Sequence, residues 1–263
     1  MNLNMTLWQR AKDSAVRAGL DPWLRPIVNI VLRRRPEEDD SYAAAIISRL
    51  KRDAVCVDIG CNKGKILDLM RHTAPDGVFF AFEPVPYLFD LLTAKYRRDA
   101  RVRLFNTALS SKNGSAPFFV NEQDSGLSGL SNRPGRIAQA QLEQIEVPVR
   151  TLDGALGNQH VDLIKIDVEG AEFDVLLGAR ETISRSRPLI VFEFGLGGAD
   201  YFGVDAETMY EFFKTLNYEL FSVSDFAQNR PCLSLSSFKS CFETNSQYNF
   251  VAASVSPTLV PSS

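Results

Sequence analysis

The chain has 263 residues, 45% apolar and 23% charged, close to the globular average and enough to bury a core as one large domain or two small ones. A net charge of −3 and a pI near 5.6 leave no global basic field to recruit nucleic acid. Four cysteines (Cys56, Cys61, Cys232, Cys241) without a CxxC pair, and only two histidines, speak against a zinc site or a disulfide framework and suit a reducing cytoplasm.

Residues 1–35 carry seven Lys and Arg against two Asp and end in Arg33-Arg34-Arg35. Asp21-Pro22 reads as a helix start, with Asp as N-cap and Pro at the first position. The segment is either a basic extension packed on the main domain with solvated charges or an arm that makes weak contact with a membrane surface or partner. No stretch approaches the roughly 18 consecutive apolar residues of a bilayer span, and the start lacks the pattern of a secretory signal. The expected organisation is a basic helical extension over 1–41, one catalytic domain over 42–255 and a frayed tail over 256–263.

From Tyr42 onward, helical and strand-like segments alternate, which predicts a mostly parallel α/β sheet with helices on both faces. Tyr42 to Leu50 reads as a helix, Val55 to Ile59 as a strand, Lys65 to His72 as a helix and Val78 to Phe82 as a second strand. A helix over Tyr87 to Arg97, opened by Pro86, leads to a strand at Val102 to Asn106. Ser110 to Val149 is less regular, with a hairpin expected around Asn113-Gly114 and a polar loop from Asn121 to Gly135. Asp162 to Asp167 reads as a strand, Ala171 to Ser184 as a helix and Leu189 to Phe194 as the fifth strand of the series. A helix over Ala206 to Leu216 precedes strands at Tyr218 to Val223 and Tyr248 to Ala253. No convincing helix separates those last two strands, so an antiparallel pairing is expected, since a parallel one needs a long crossover. The pattern resembles the Rossmann-like sheet of class I methyltransferases.

Two constellations carry the chemistry. In VDIGCNKG (57–64), Gly60 and Gly64 bracket a strand-to-helix turn with Asn62 between them. Three residues separate the glycines and Lys65-Ile66 follows, which does not match a P-loop; Cys61-Asn62 replaces the second glycine of a dinucleotide fingerprint. Asp58 would repel a pyrophosphate but could orient an ammonium group. Glu83, in FEP, comes 23 residues after Gly60, near the roughly 20 expected of an acid that binds ribose hydroxyls. In KIDVEGAE (165–172), Asp167 ends an apolar strand at the ligand-binding edge of such sheets, while Glu172 reads as a helix-terminal charge. Lys165 reads as a member of a structural ion pair. Glu193 closes the neighbouring strand in VFEF. The glycine-rich, aromatic FGLGGADYFG loop (194–203) places Tyr201 where it could stack on a sugar or ring.

These motifs, with SGLSGL at 125–130 and TLD at 151–153, resemble the FkbM-type methyltransferases over about residues 55–253. The resemblance implies S-adenosyl-L-methionine as cofactor and transfer of its methyl group, usually to a hydroxyl oxygen of a sugar, glycan or small natural product. It implies that Asp58, Gly60, Asn62 and Gly64 surround the cofactor's amino-acid portion, that Glu83 holds the ribose, and that Asn106 and Ala108 border the adenine. Asp167 would lie nearest the methyl group, with Glu169 and Glu193 facing the acceptor and Asp167 or Glu193 as general base. Ser125 and Ser128 are candidate substrate contacts or turn-shaping residues, and Asp153 reads as a helix N-cap. No metal is expected. A nicotinamide-dependent oxidoreductase and a non-catalytic docking domain are the alternatives.

Overall fold

The computed structural model describes residues 45–121, 128–131 and 142–255. The expectations for the basic extension, for the start of the first helix, for Ser125 and for the tail lie outside these residues.

Seven strands form the main sheet: β1 (Val55–Ile59), β2 (Val78–Phe82), β3 (Val102–Phe105), β7 (Leu163–Ile166), β8 (Leu189–Glu193), β9 (Tyr218–Ser222) and β10 (Asn249–Ser254). Their spatial order is β3-β2-β1-β7-β8-β10-β9. The sheet is parallel except for β10, which runs antiparallel to both β8 and β9. The order reverses between β1 and β7, and at such a point the loops beyond the strand ends diverge and leave a crevice for a ligand.

Alternation along the strands sends side chains to two cores. Val57, Ile59, Ile164, Ile166 and Phe192 pack on one face, against Val175, Ile183, Phe213 and Phe238 of the covering helices. Cys56, Phe79, Leu163, Val191 and Val251 pack on the other, with Leu67, Met70 and Leu92. Burial on both faces explains why these strands read as near-continuous apolar runs.

The helices beside the site are α1 (Lys65–Thr73) and α2 (Pro86–Tyr96) on one side, and α3 (Leu152–Leu156), α4 (Glu172–Leu177) and α5 (Arg180–Ser186) on the other. The single helix expected over Ala171 to Ser184 is therefore two. A Cβ on Gly178 would lie 2.1 Å from the Ser110 carbonyl oxygen, so the backbone there is packed too closely against a neighbouring loop for an ordinary helical side chain. Asp153 does not cap its own helix. Thr151 Oγ1 does so, accepting from the Gly154 amide at 3.1 Å. The Asp153 carboxylate instead accepts the Glu181 and Thr182 amides at 3.0 and 2.8 Å, capping α5 across space.

Two further expectations are corrected. The stretch after β3 holds a second, three-stranded sheet: β4 (Ala108–Leu109), β5 (Gly114–Asn121) and β6 (Leu142–Arg150), in the order β4-β6-β5. No hairpin forms at Asn113-Gly114; β4 and β5 each pair with β6 instead, parallel and antiparallel respectively. Buried Phe118, Val120, Val147 and Val149 give this sheet its inner face. Between β9 and β10 lie two helices, α7 (Val223–Ala227) and α8 (Leu235–Thr244), following α6 (Ala206–Thr215). The antiparallel pairing of β10 holds, although its connection is helical.

Candidate active site

The turn after β1 is built from positive-φ residues: Gly60 at 72°, Asn62 at 48° and Gly64 at 75°. Its amides face the end of β2. Gly60 and Cys61 donate to the Phe82 carbonyl at 3.0 and 3.2 Å. The Asn62 amide donates to Glu83 Oε2 at 2.8 Å, and the Val85 amide to Glu83 Oε1 at 3.0 Å. Glu83 is 4% exposed; burial pushes its carboxyl up, opposed by these two amides. Gly64 is required by packing, since a Cβ would sit 2.5 Å from the Tyr96 hydroxyl oxygen. That hydroxyl donates to the Gly64 carbonyl at 3.0 Å.

A cleft of about 640 Å3, counting its space open to solvent, lies beyond the ends of β1, β2 and β7. Gly60, Asn62, Glu83, Ala108, Ser128, Asp167 and Glu169 stand on its wall. Asp58, Gly64 and Asn106 do not. Asp58 is wholly buried, with Lys165 Nζ 3.4 Å from its Oδ1. The Asn106 amide donates to the carbonyls of Glu83 and Pro84 at 2.9 and 3.0 Å, which fixes the loop that carries the acid.

Apart from Thr107, the rest of that wall is apolar and includes Phe82, Val85, Leu109, Phe118 and Leu130. Phe118 and Leu130 belong to or pack on the second sheet, which roofs the cleft. Sequence reasoning missed this wall. The alternation of Phe118 with Val120 was its one local signal. Ser128 pins the roof by accepting the Asn121 amide at 2.9 Å, and Gly129 exchanges backbone hydrogen bonds with Phe119. A Cβ on Gly129 would lie 3.4 Å from Glu169 Cβ, so Gly129 rests directly on the IDVEG loop.

Glu169, at φ 60°, also lines a second cleft of about 270 Å3, whose wall includes Glu172, Glu193, Gly195, Gly198 and Tyr248. A Cβ on Gly170 would fall 2.5 Å from the Gly198 carbonyl, so the glycine-rich loop after β8 touches the loop after β7. Asp167 and Glu193 thus face different clefts, joined at Glu169. Tyr201 is 40% exposed and stands on neither wall. Glu172 Oε1 accepts the Val168 and Gly170 amides at 3.0 and 3.1 Å, and burial pushes its carboxyl up to about 7. It staples the loop that carries Asp167 and Glu169. Among the described residues, no three His, Cys, Asp or Glu side chains gather as a metal site requires, and no helix is long and apolar enough to cross a membrane.

The donor set suits an adenosine ligand. Each Glu83 oxygen accepts one amide and keeps a lone pair for a ribose hydroxyl, while the apolar slot matches a base.

Comparison with known proteins agrees. The model of the methyltransferase FkbM domain matches residues 58–220. The 2-O-methyltransferase NoeI of Sinorhizobium fredii is 32% identical over 168 residues, 59% of this chain and 69% of that protein. Methyltransferase sdnD of Sordaria araneosa is 27% identical over 165 residues, covering 51% and 64%. The crystal structure of methyltransferase FkbM from Methylobacillus flagellatus superposes with a TM-score of 0.50 at 14% identity, over 78% of this chain and 44% of that one. That likeness bears on the fold alone.

Proposed function

Since the chain belongs to the FkbM methyltransferase family and its cofactor is S-adenosylmethionine, we propose that it methylates a hydroxyl oxygen of a sugar, glycan or natural product. One observation carries this reading: two clefts of unequal size meet at Glu169. The larger, with Glu83 and the apolar slot, suits the donor, and the smaller, a shallow depression open to solvent, marks the side from which an acceptor would approach. The 2-O-methyltransferase among the relatives supports oxygen as the target. Among the described residues the two walls carry Glu83, Asp167, Glu169, Glu172 and Glu193 and no Lys or Arg.

The bound cofactor supplies a methyl carbon made electrophilic by a sulfonium. The protein's work is to align the reactants, exclude water and remove a proton. Glu83 accepts the ribose hydroxyls, and Phe118 and Leu130 close the roof. Glu193 orients the acceptor from the smaller cleft. A sugar hydroxyl is a weak nucleophile near neutral pH, so its proton passes to a carboxylate within hydrogen-bond reach. Glu169, at the junction, takes that proton.

Calorimetric titration with S-adenosylhomocysteine, followed by labelled-methyl transfer to a panel of hydroxylated acceptors, tests the reading. Glu169→Gln and Glu193→Gln should bind S-adenosylhomocysteine as the parent does and lose transfer. Full transfer by both variants overturns the carboxylate assignment, and absence of S-adenosylhomocysteine binding by the parent overturns the cofactor cleft.

A further inference from the structure

Lys165 sits in the middle of β7 with a side chain 5% exposed. In the parallel ladder its Cα is directly opposite that of Asp58 on β1. Its ammonium donates to the Gly60 carbonyl at 2.8 Å and lies 3.4 Å from the Ile59 carbonyl. It is also 3.4 Å from Asp58 Oδ1 and 3.4 Å from Asp167 Oδ2. Four oxygens from the end of β1, the start of the turn and the end of β7 therefore converge on one cation. Burial would depress this ammonium, but Asp167 and Asp58 outweigh it and hold its pKa above the ordinary lysine value.

The two anions differ in what they face. Asp58 is wholly buried and stands on neither cleft wall. Asp167 has a side chain 38% exposed and stands on the wall of the larger cleft. Without the cation, two carbonyl oxygens and two carboxylates would confront one another where β1 and β7 end, and mutual repulsion would part the turn from Asp167.

We propose that Lys165 is a positioning residue that ties the cofactor turn to Asp167, with Asp58 as its buried counter-anion and not a ligand contact. The inference rests on the reading of the larger cleft as the cofactor site.

The experiment compares full-length Asp58→Asn, Lys165→Met and the double variant by thermal unfolding, by calorimetric titration with S-adenosylhomocysteine, and by amide exchange. Lys165→Met strands a buried carboxylate, so it should be the least stable. The double variant removes both charges and should recover most of that loss. Asp58→Asn should bind within about threefold of the parent. The double variant should bind about tenfold more weakly or worse, with faster exchange at Gly60, Cys61 and Asp167 and unchanged exchange in β8 and β10. A double variant that recovers both stability and affinity overturns the proposal, because Lys165 would then only neutralise Asp58. Asp58→Asn/Lys165→Gln carries the same comparison if the methionine pair does not fold. If the parent itself fails to bind S-adenosylhomocysteine, the cofactor reading falls. The exchange comparison, which needs no ligand, then still decides the role of Lys165: selective loosening supports it and unchanged exchange overturns it.

Discussion

Glu83 accepts the backbone amide of Asn62 at 2.8 Å, so the acid at the end of β2 is built into the turn that follows β1. Its other oxygen accepts the Val85 amide. One side chain thus shapes the turn and presents lone pairs to the cleft. Glu83→Ala leaves two amides without their acceptor, which costs about 1–3 kcal/mol for each one that water does not reach. It should also weaken S-adenosylhomocysteine binding by about tenfold or more. Glu83→Gln keeps one carbonyl oxygen and should fall between. Calorimetry and thermal unfolding on the three proteins check this, and an unchanged affinity in the alanine variant would remove Glu83 from the cofactor site.

The main sheet could be read from the sequence because its strands are buried on both faces. Val55 to Ile59 and Val78 to Phe82 are apolar runs closed by turn residues, and the structure reproduces both spans. The strand β6 was opaque for the opposite reason. In LEQIEVPVR only Val147 and Val149 are buried, so the period-two signal is two residues long and interrupted by Pro148. The helix Leu235–Thr244 is rich in Ser and Cys, which favour it weakly. Its signals were the Ser234 cap, which accepts the Ser237 amide at 3.2 Å, and the spacing of Phe238 and Phe242, both stacked on Phe194. Within the site, Glu83 and Asp167 announced themselves by ending strands. The pairing of Asp58 with Lys165 did not, because the register that joins residues 107 positions apart exists only in the folded sheet.

Gly60 and Gly157 both adopt positive φ, at 72° and 56°, but only one is crowded. A Cβ on Gly60 would lie 1.9 Å from the Asp167 carbonyl oxygen, whereas nothing comes within 4 Å of one on Gly157. Gly157, with ψ −125°, lies in a region that only glycine enters readily, so Gly157→Ala should cost backbone strain alone, about 1–3 kcal/mol. Gly60→Ala adds a backbone clash worth about 1–3 kcal/mol or more, and relieving it must push the turn away from Asp167. Urea unfolding should rank the two clearly, with S-adenosylhomocysteine binding lost only in the Gly60 variant. Equal midpoints would contradict the close approach of the turn to β7.

Glu172 makes the protein's stability fall as the pH rises. Its carboxyl stands at about 7 in the folded chain, chiefly through burial, against an ordinary 4.5. The amides of Gly170, of Glu172 itself and of Val168 pull the other way without overcoming burial. Between those two pH values the unfolded chain ionises while the folded chain keeps its proton, so stability falls as pH rises through this window. The full effect approaches about 3 kcal/mol above pH 7. Glu172→Gln keeps an acceptor oxygen for Val168 and Gly170 but cannot titrate. Its stability relative to the parent should therefore rise from pH 4.5 to 8, with the two proteins closest at the acidic end. Denaturant unfolding of both proteins at half-unit pH steps measures the difference directly, with titrations common to the pair cancelling. Parallel curves would mean that Glu172 is ionised in the folded chain at acidic pH, and the loop carrying Asp167 and Glu169 would then be held by a charged carboxylate throughout.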